Sequence, residues 1–119
     1  MNEKMAGQTD KTDIRHSLDR LYDVITSRKN ESAKDSYTAQ LFADAPKKPA
    51  RKLCEEATEV LIEALNNDKA KLATESADLL YHLLVVWAAA DLDPLDVWQE
   101  LDSRQGVSGL IEKQNRQLK

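Results

Sequence analysis

Four carboxylates carry the chemistry open to this sequence: Glu56 with Glu59, and Glu75 with Asp78, each pair spaced i, i+3. On a helix, residues three apart stand on neighbouring ridges of one face. The first pair lies in the run Glu55-Glu56-Ala57-Thr58-Glu59, with Lys52 and Glu63 on the same stripe. That stripe flanks an apolar face of Leu53, Ala57, Val60, Leu61 and Ala64, which places the carboxylates at the edge of a helix–helix groove. Taken alone, such a pair describes a solvated helix face. The second pair changes the reading. Asp78 leads into Leu-Leu-Tyr-His-Leu-Leu-Val-Val-Trp-Ala-Ala-Ala, apolar nearly all round, the pattern of a central and buried helix. Glu75, Asp78 and His82 share one stripe of it, so Asp78 is expected at the edge of the core or inside it.

A carboxylate withdrawn from water requires protonation, a basic partner or a metal ion. Two acidic pairs on consecutive antiparallel helices can converge on one point, and a hard divalent cation with oxygen ligands relieves the repulsion. Donors that are all carboxylate, without Cys and with at most one His nearby, favour Mg²⁺, with Mn²⁺ as a substitute, over Zn²⁺. The expected metal ligands are therefore Glu56, Glu59, Glu75 and Asp78.

The neighbouring side chains have a functional and a bland reading each. Glu55 either orders an attacking water or tunes a ligand, or is solvated. Lys52 either holds a phosphate or pairs with Glu56 one turn on. His82 reads as a core histidine, with a role beside Asp78 as the alternative. Tyr81 reads as packing or interface, Trp87 and Trp98 as core or interface, and Cys54 as a small hydrophobe without an arranged base. Lys47 and Lys48 read as a solvated loop.

Helices must position these groups. Ile14, Leu18, Leu21 and Ile25 form one stripe of a first helix, capped by Thr12 or Asp13 and fading near Lys29-Asn30. Residues 31–49 are polar and end in two prolines that break a helix, with a short helical turn around Ser36 to Phe42. A second long helix is expected from about Ala50 to Asn66 and a third from Lys69 to Ala90, the break falling at Asn67-Asp68. Asp93-Pro94 opens a fourth, which carries Leu95, Trp98 and Leu101 and stops near Gly106. No period-two alternation and no internal repeat occurs. The expected class is all-α, a bundle of four to five helices, with residues 1–11 a disordered tail and 12–119 one domain.

Composition agrees. Hydrophobic residues are 41% and charged residues 32% of 119, while aromatics are 5% with three Gly and three Pro, a balance helices tolerate better than strands. A net charge of −4 argues against a nucleic-acid partner and against anionic membranes. The longest apolar stretch, Leu79 to Ala90, is shorter than the roughly 20 residues of a membrane span. Cys54 is the only cysteine and the first dozen residues contain no apolar signal core, so a reducing cytoplasm is the expected location.

The pattern Glu-Glu-x-x-Glu, fifteen residues, then Glu-x-x-Asp resembles the signature of the all-α nucleoside triphosphate pyrophosphohydrolases. Within them, Lys52-Leu-Cys-Glu-Glu-Ala-Thr-Glu-Val60, Glu75-Ser-Ala-Asp-Leu-Leu-Tyr-His-Leu-Leu-Val85, and Arg104 followed by Ser108-Gly109 and Glu112-Lys113-x-x-Arg116 resemble the phosphoribosyl-ATP pyrophosphohydrolase branch. Ser36-Tyr37-Thr38-Ala39 and the stretch from Asp96 to Leu101 resemble it too, so the likeness spans about residues 17 to 117. It implies Mg²⁺-dependent hydrolysis of phosphoribosyl-ATP to phosphoribosyl-AMP and pyrophosphate in histidine biosynthesis. It also implies a homodimer or higher homo-oligomer that completes the bundle, and for this reaction Glu55, Glu56 and Glu59 are the expected catalytic residues. Composition alone makes the C-terminal segment a frayed tail. The resemblance makes Arg104, Ser108, Gly109, Lys113 and Arg116, with Lys52, phosphate- and substrate-binding candidates. Cys54 stands where the family usually carries Gly, and Ala45-Pro-Lys-Lys-Pro49 replaces a loop that more often has Gly and an apolar residue. The absence of a Cys/His motif for the cyclohydrolase of the next step implies the stand-alone form. Two rival readings are a house-cleaning nucleotide pyrophosphohydrolase of the same superfamily and a non-catalytic helical interaction module.

Overall fold

The computed structural model describes residues 15–105 and Arg116. Five helices follow in order: α1 (Ser17–Ser27), α2 (Tyr37–Ala43), α3 (Lys47–Leu65), α4 (Lys69–Ala89) and α5 (Pro94–Arg104), with no strand among the described residues. The all-α expectation holds.

Their boundaries follow from capping chemistry, and two differ from the sequence expectation. The cap of α1 is His16 rather than Thr12 or Asp13: its Nδ1 accepts from the Leu18 amide at 3.0 Å, and its carbonyl accepts from Asp19 and Arg20. An imidazole thus does the work usually done by a hydroxyl or carboxylate. Helix α3 starts at Lys47, three residues before the expected Ala50, with Pro46 as its cap residue. Pro49 is tolerated because it sits in the first turn, where an amide has no helical acceptor to lose. Ser36 caps α2 through the Ala39 amide at 3.1 Å, as the expected short turn required. Asp93 caps α5 through the Leu95 amide at 2.9 Å, with Pro94 at its first position.

Between α3 and α4 the chain reverses within three residues. Asn67 takes a left-handed φ of 57°, and Asp68 accepts from the Lys71 amide at 3.0 Å to start α4. Asparagine tolerates that conformation better than bulkier residues, because its short polar side chain can satisfy local backbone groups. So short a link makes α3 and α4 an antiparallel hairpin, and the two helices pack extensively on each other.

The core is gathered at the other end of α4. Leu84, Val85 and Ala88 are buried with Ile25 of α1 and Leu41 of α2, enclosed by Leu18, Leu21, Tyr22, Phe42, Tyr81 and Trp87. Polar contacts lock the same end. Lys29 Nζ donates to the Ala88 carbonyl and to Asp91 Oδ1, both at 2.8 Å, which puts a cation on the negative end of α4. Tyr22 donates to the Leu92 carbonyl at 2.8 Å. Trp98 of α5 donates to Asp19 at 2.9 Å and meets Trp87 edge-on at 5.7 Å, which ties α5 to α1 and α4.

The long helices are less buried than their patterns imply. On the expected apolar face of α3, only Leu53 and Val60 are partly covered, while Ala57, Leu61 and Ala64 are exposed. On α4, burial is confined to His82, Leu84, Val85 and Ala88, and Leu80 is exposed. The physical reason is length. Helices α1 and α2 are 11 and 7 residues long and cover one end of a hairpin whose arms have 19 and 21. No helix among the described residues is long and apolar enough to cross a membrane.

Truncating Leu84 to Ala opens a cavity at the centre of this core. It should lower unfolding stability by about 3 kcal/mol, read as a shift in the urea midpoint with an unchanged m-value.

Candidate functional site

The antiparallel pairing of α3 and α4 brings Glu56 opposite Glu75 and Asp78. One carboxylate oxygen of each lies within 4.8 Å of the others. Glu56 and Glu75 are partly buried and Asp78 is exposed. That exposure corrects the expectation that Asp78 lies at or inside the core. Its turn of α4 has already left the part of the helix that α1 and α2 cover. Glu59 is exposed and does not join the other three at that distance, so the expected quartet is a trio with one carboxylate at its margin.

The trio is electrostatically strained. Withdrawal of Glu75 from water, followed by the charges of Asp78, Glu59, Glu56 and Glu63, raises its carboxyl above the ordinary glutamate range. Oxygens within 4.8 Å of one another are close enough that the three side chains could adjust to hold one hard divalent ion between them. The donors are all carboxylate, which suits Mg²⁺ or Mn²⁺ and not a softer metal.

Lys52, one turn before Glu56 on α3, places its ammonium 3.1 Å from Glu55 and 4.0 Å from Glu56. The hydrogen bond to Glu55 holds it above the usual lysine range, with the charges of Tyr37, Glu55 and Glu56 adding to the effect. Glu55 is exposed and taken up by Lys52 and by Arg51 at 3.8 Å, so it stands beside the trio and not in it.

His82 is 6% exposed, the buried histidine its position implied. Its Nδ1 lies 2.8 Å from the Asp78 carbonyl, which only accepts, so the proton is on Nδ1. The contact to Asp78 is therefore through the backbone and not the carboxylate. Nε2 is left as an acceptor, and the Tyr37 hydroxyl stands 3.4 Å from it. Tyr81 meets His82 edge-on at 4.9 Å and shares a hydrogen bond with Thr38, a packing role as expected. Tyr37 is the residue near this site to which the sequence attached no role. It arrives from α2, 45 positions from His82, and no local spacing signals the contact.

The remaining candidates are not gathered here. Arg104 bonds Glu100 one turn back on α5 at 3.0 Å. Arg116 is exposed and helical. Ser108, Gly109 and Lys113, like the expected tail 1–11, lie outside the described residues. Cys54 is exposed and not packed as a small hydrophobe. A cleft of about 560 Å³ between α1 and the start of α5 shares no lining residue with the trio. Its aspartates are already engaged, Asp19 by Trp98, Asp23 by Arg15, Asp91 by Lys29 and Asp93 by the Leu95 amide.

The helical hairpin thus brings three carboxylates together beside a lysine. Known proteins of the same kind can be named. Residues 18–105 match the family model described as phosphoribosyl-ATP pyrophosphohydrolase. The chain is 52% identical to the phosphoribosyl-ATP pyrophosphatase of Azospirillum brasilense, over 83% of this chain and 89% of that protein. It is 50% identical to the protein of that name from Paramagnetospirillum magneticum, over 86% of this chain and 94% of the relative. The corresponding protein of Parvibaculum lavamentivorans is 52% identical over 83% of this chain and 91% of its own length. The chain belongs to the phosphoribosyl-ATP pyrophosphohydrolase family and is a hydrolase.

The raised carboxyl of Glu75 has a consequence for stability. Between the unfolded and folded pKa values, the folded chain binds more protons than the unfolded one. Stability therefore falls as pH rises through that interval, and the penalty is complete above it. In metal-free buffer at pH 7, Glu75→Gln should melt at a higher temperature than the parent. The difference should shrink as pH falls into the carboxylate range, as followed by circular dichroism melts across pH 3.5 to 8.

Proposed function

We infer that this chain hydrolyses phosphoribosyl-ATP to phosphoribosyl-AMP and pyrophosphate, the second step of histidine biosynthesis, in a Mg²⁺-dependent reaction in the cytoplasm. The observation that carries this reading is the convergence of Glu56, Glu75 and Asp78 from two helices, in a chain of this family. These three would hold the ion, with Glu59 at the margin. When bound, Mg²⁺ neutralises charge on the triphosphate oxygens and on the departing pyrophosphate.

The chain's own groups supply the rest. The Lys52 ammonium, one turn from Glu56, is available to exchange its carboxylate partners for a phosphate oxygen. Glu55, already engaged by Lys52 and Arg51, orients that ammonium. Water attacks the α-phosphorus, the bond from that phosphorus to the bridging oxygen breaks, and pyrophosphate leaves. Glu59, exposed beside the trio, is available to accept the proton released by the attacking water. Arg104, Ser108, Gly109, Lys113 and Arg116 remain substrate-binding candidates by family resemblance.

The reading includes a homodimer or larger homo-oligomer. Its support is the uncovered apolar surface: Leu65 is 77% exposed and Leu61 57%, with Ile62 and Leu80 also open to water. Contiguous apolar surface of this kind marks an interaction face on a soluble protein.

Pyrophosphate release from phosphoribosyl-ATP should require Mg²⁺ or Mn²⁺ and exceed release from free deoxynucleotides. Asp78→Asn should lower it by more than about a hundredfold while the helical circular dichroism signal persists. Turnover of the variant at the parent rate would remove Asp78 from the site. Leu65→Lys should reduce the particle to a monomer in light scattering; an unchanged mass would exclude this surface as the interface.

A further inference from the structure

We propose that Tyr37 is the nucleobase-contacting residue of this site, its ring held as a platform by His82. The inference rests on the nucleotide reading above and extends it to the part of the substrate that the carboxylates do not touch.

The groups stand in a fixed order along the hairpin. Glu56 of α3 meets Glu75 and Asp78 of α4. Lys52 lies four residues before Glu56, and His82 four residues after Asp78. In antiparallel helices those two steps run the same way, by about 6 Å each. Lys52 and His82 therefore stand at one level, next to the carboxylates. Tyr37, the first residue of α2, reaches this level from a third helix. Its hydroxyl is 3.4 Å from His82 Nε2, and it lies within electrostatic reach of the Lys52 ammonium. Ammonium and aromatic ring thus lie together on one side of the carboxylates, about one helical turn away. A nucleotide whose phosphates are held at the carboxylates and the ammonium has its base within reach of that ring.

The platform is preorganised. His82 is buried, donates through Nδ1 to the Asp78 carbonyl at 2.8 Å, and has the Tyr81 ring edge-on at 4.9 Å. Tyr37 meets the imidazole edge-on as well, with ring centroids 6.3 Å apart and planes at 79°. Tyr37 as a whole is 46% exposed, so it is not enclosed by its own chain. An aromatic ring tied down at its hydroxyl loses little freedom when a flat partner stacks on it. Because Asp78 lends its carbonyl to His82, the same turn of α4 anchors both the platform and a proposed metal ligand.

The test uses the full chain and adenosine monophosphate, titrated calorimetrically without metal into the parent and into Tyr37→Ala, Tyr37→Leu and Tyr37→Trp. Far-ultraviolet circular dichroism checks that each variant is folded. Ala and Leu should weaken binding by about tenfold or more, and Trp should stay within about threefold of the parent, because stacking needs a ring and not merely bulk. In pyrophosphate release, Tyr37→Leu should raise KM by a similar factor and leave kcat within about threefold. Absence of binding by the parent, or a Leu variant that binds as the parent does, overturns the proposal. So does a Leu variant whose oligomeric mass changes while its affinity does not, since Tyr37 would then pack against a second copy. A parent that shows the ring dependence yet releases no pyrophosphate overturns the hydrolytic reading and leaves the platform standing.

Discussion

Like charges held together across two helices are the constraint around which this molecule is organised. One carboxylate oxygen each of Glu56, Glu75 and Asp78 lies within 4.8 Å of the others, and like charges so close repel. Such repulsion works against the pairing of the two helices. It is resisted at both ends. Asn67 and Asp68 reverse the chain within one tight turn, and Leu84, Val85 and Ala88 clamp the far end of α4 against Ile25 and Leu41. Protonation, a basic partner or a cation would relieve the repulsion.

Helix α4 is consequently two helices in one. Its second half carries the core and the cap from Lys29. Its first half carries the carboxylates, with Asp78 exposed and the exposed Leu80 just beyond. His82 sits at the boundary. A histidine is suited to that position, since one ring nitrogen can satisfy a backbone carbonyl while the other serves a polar neighbour outside the core. The apolar layer at Leu84 and the carboxylate layer at Glu75 and Asp78 thereby occupy successive parts of one helix.

Much of this was legible in the residues alone. The spacing of Ile25, Leu84 and Val85, the break at Asn67-Asp68 and the Asp93-Pro94 start are local signals, and each corresponds to an element found. The carboxylate pairs were legible for the same reason: i, i+3 spacing puts two side chains on one face whatever the rest of the chain does. The expected boundaries failed where the local signal was ambiguous. A histidine caps α1, which propensity does not favour, and a proline lies inside the first turn of α3, where it does no harm.

Three matters were decided by tertiary structure because they depend on which helix covers which. Apolar periodicity implied that Leu61, Ala64 and Asp78 lie at or near a buried face; the short α1 and α2 leave them in water. Of four carboxylates on matching faces, the pairing of α3 with α4 selects Glu56, Glu75 and Asp78 and leaves Glu59 aside. Tyr37 meets the buried His82 imidazole across 45 positions of sequence. By itself, then, the sequence determined the helices, their faces and the acidic chemistry, since all of these follow from short-range geometry. Register, cover and long-range neighbours came only with packing, which no single helix encodes.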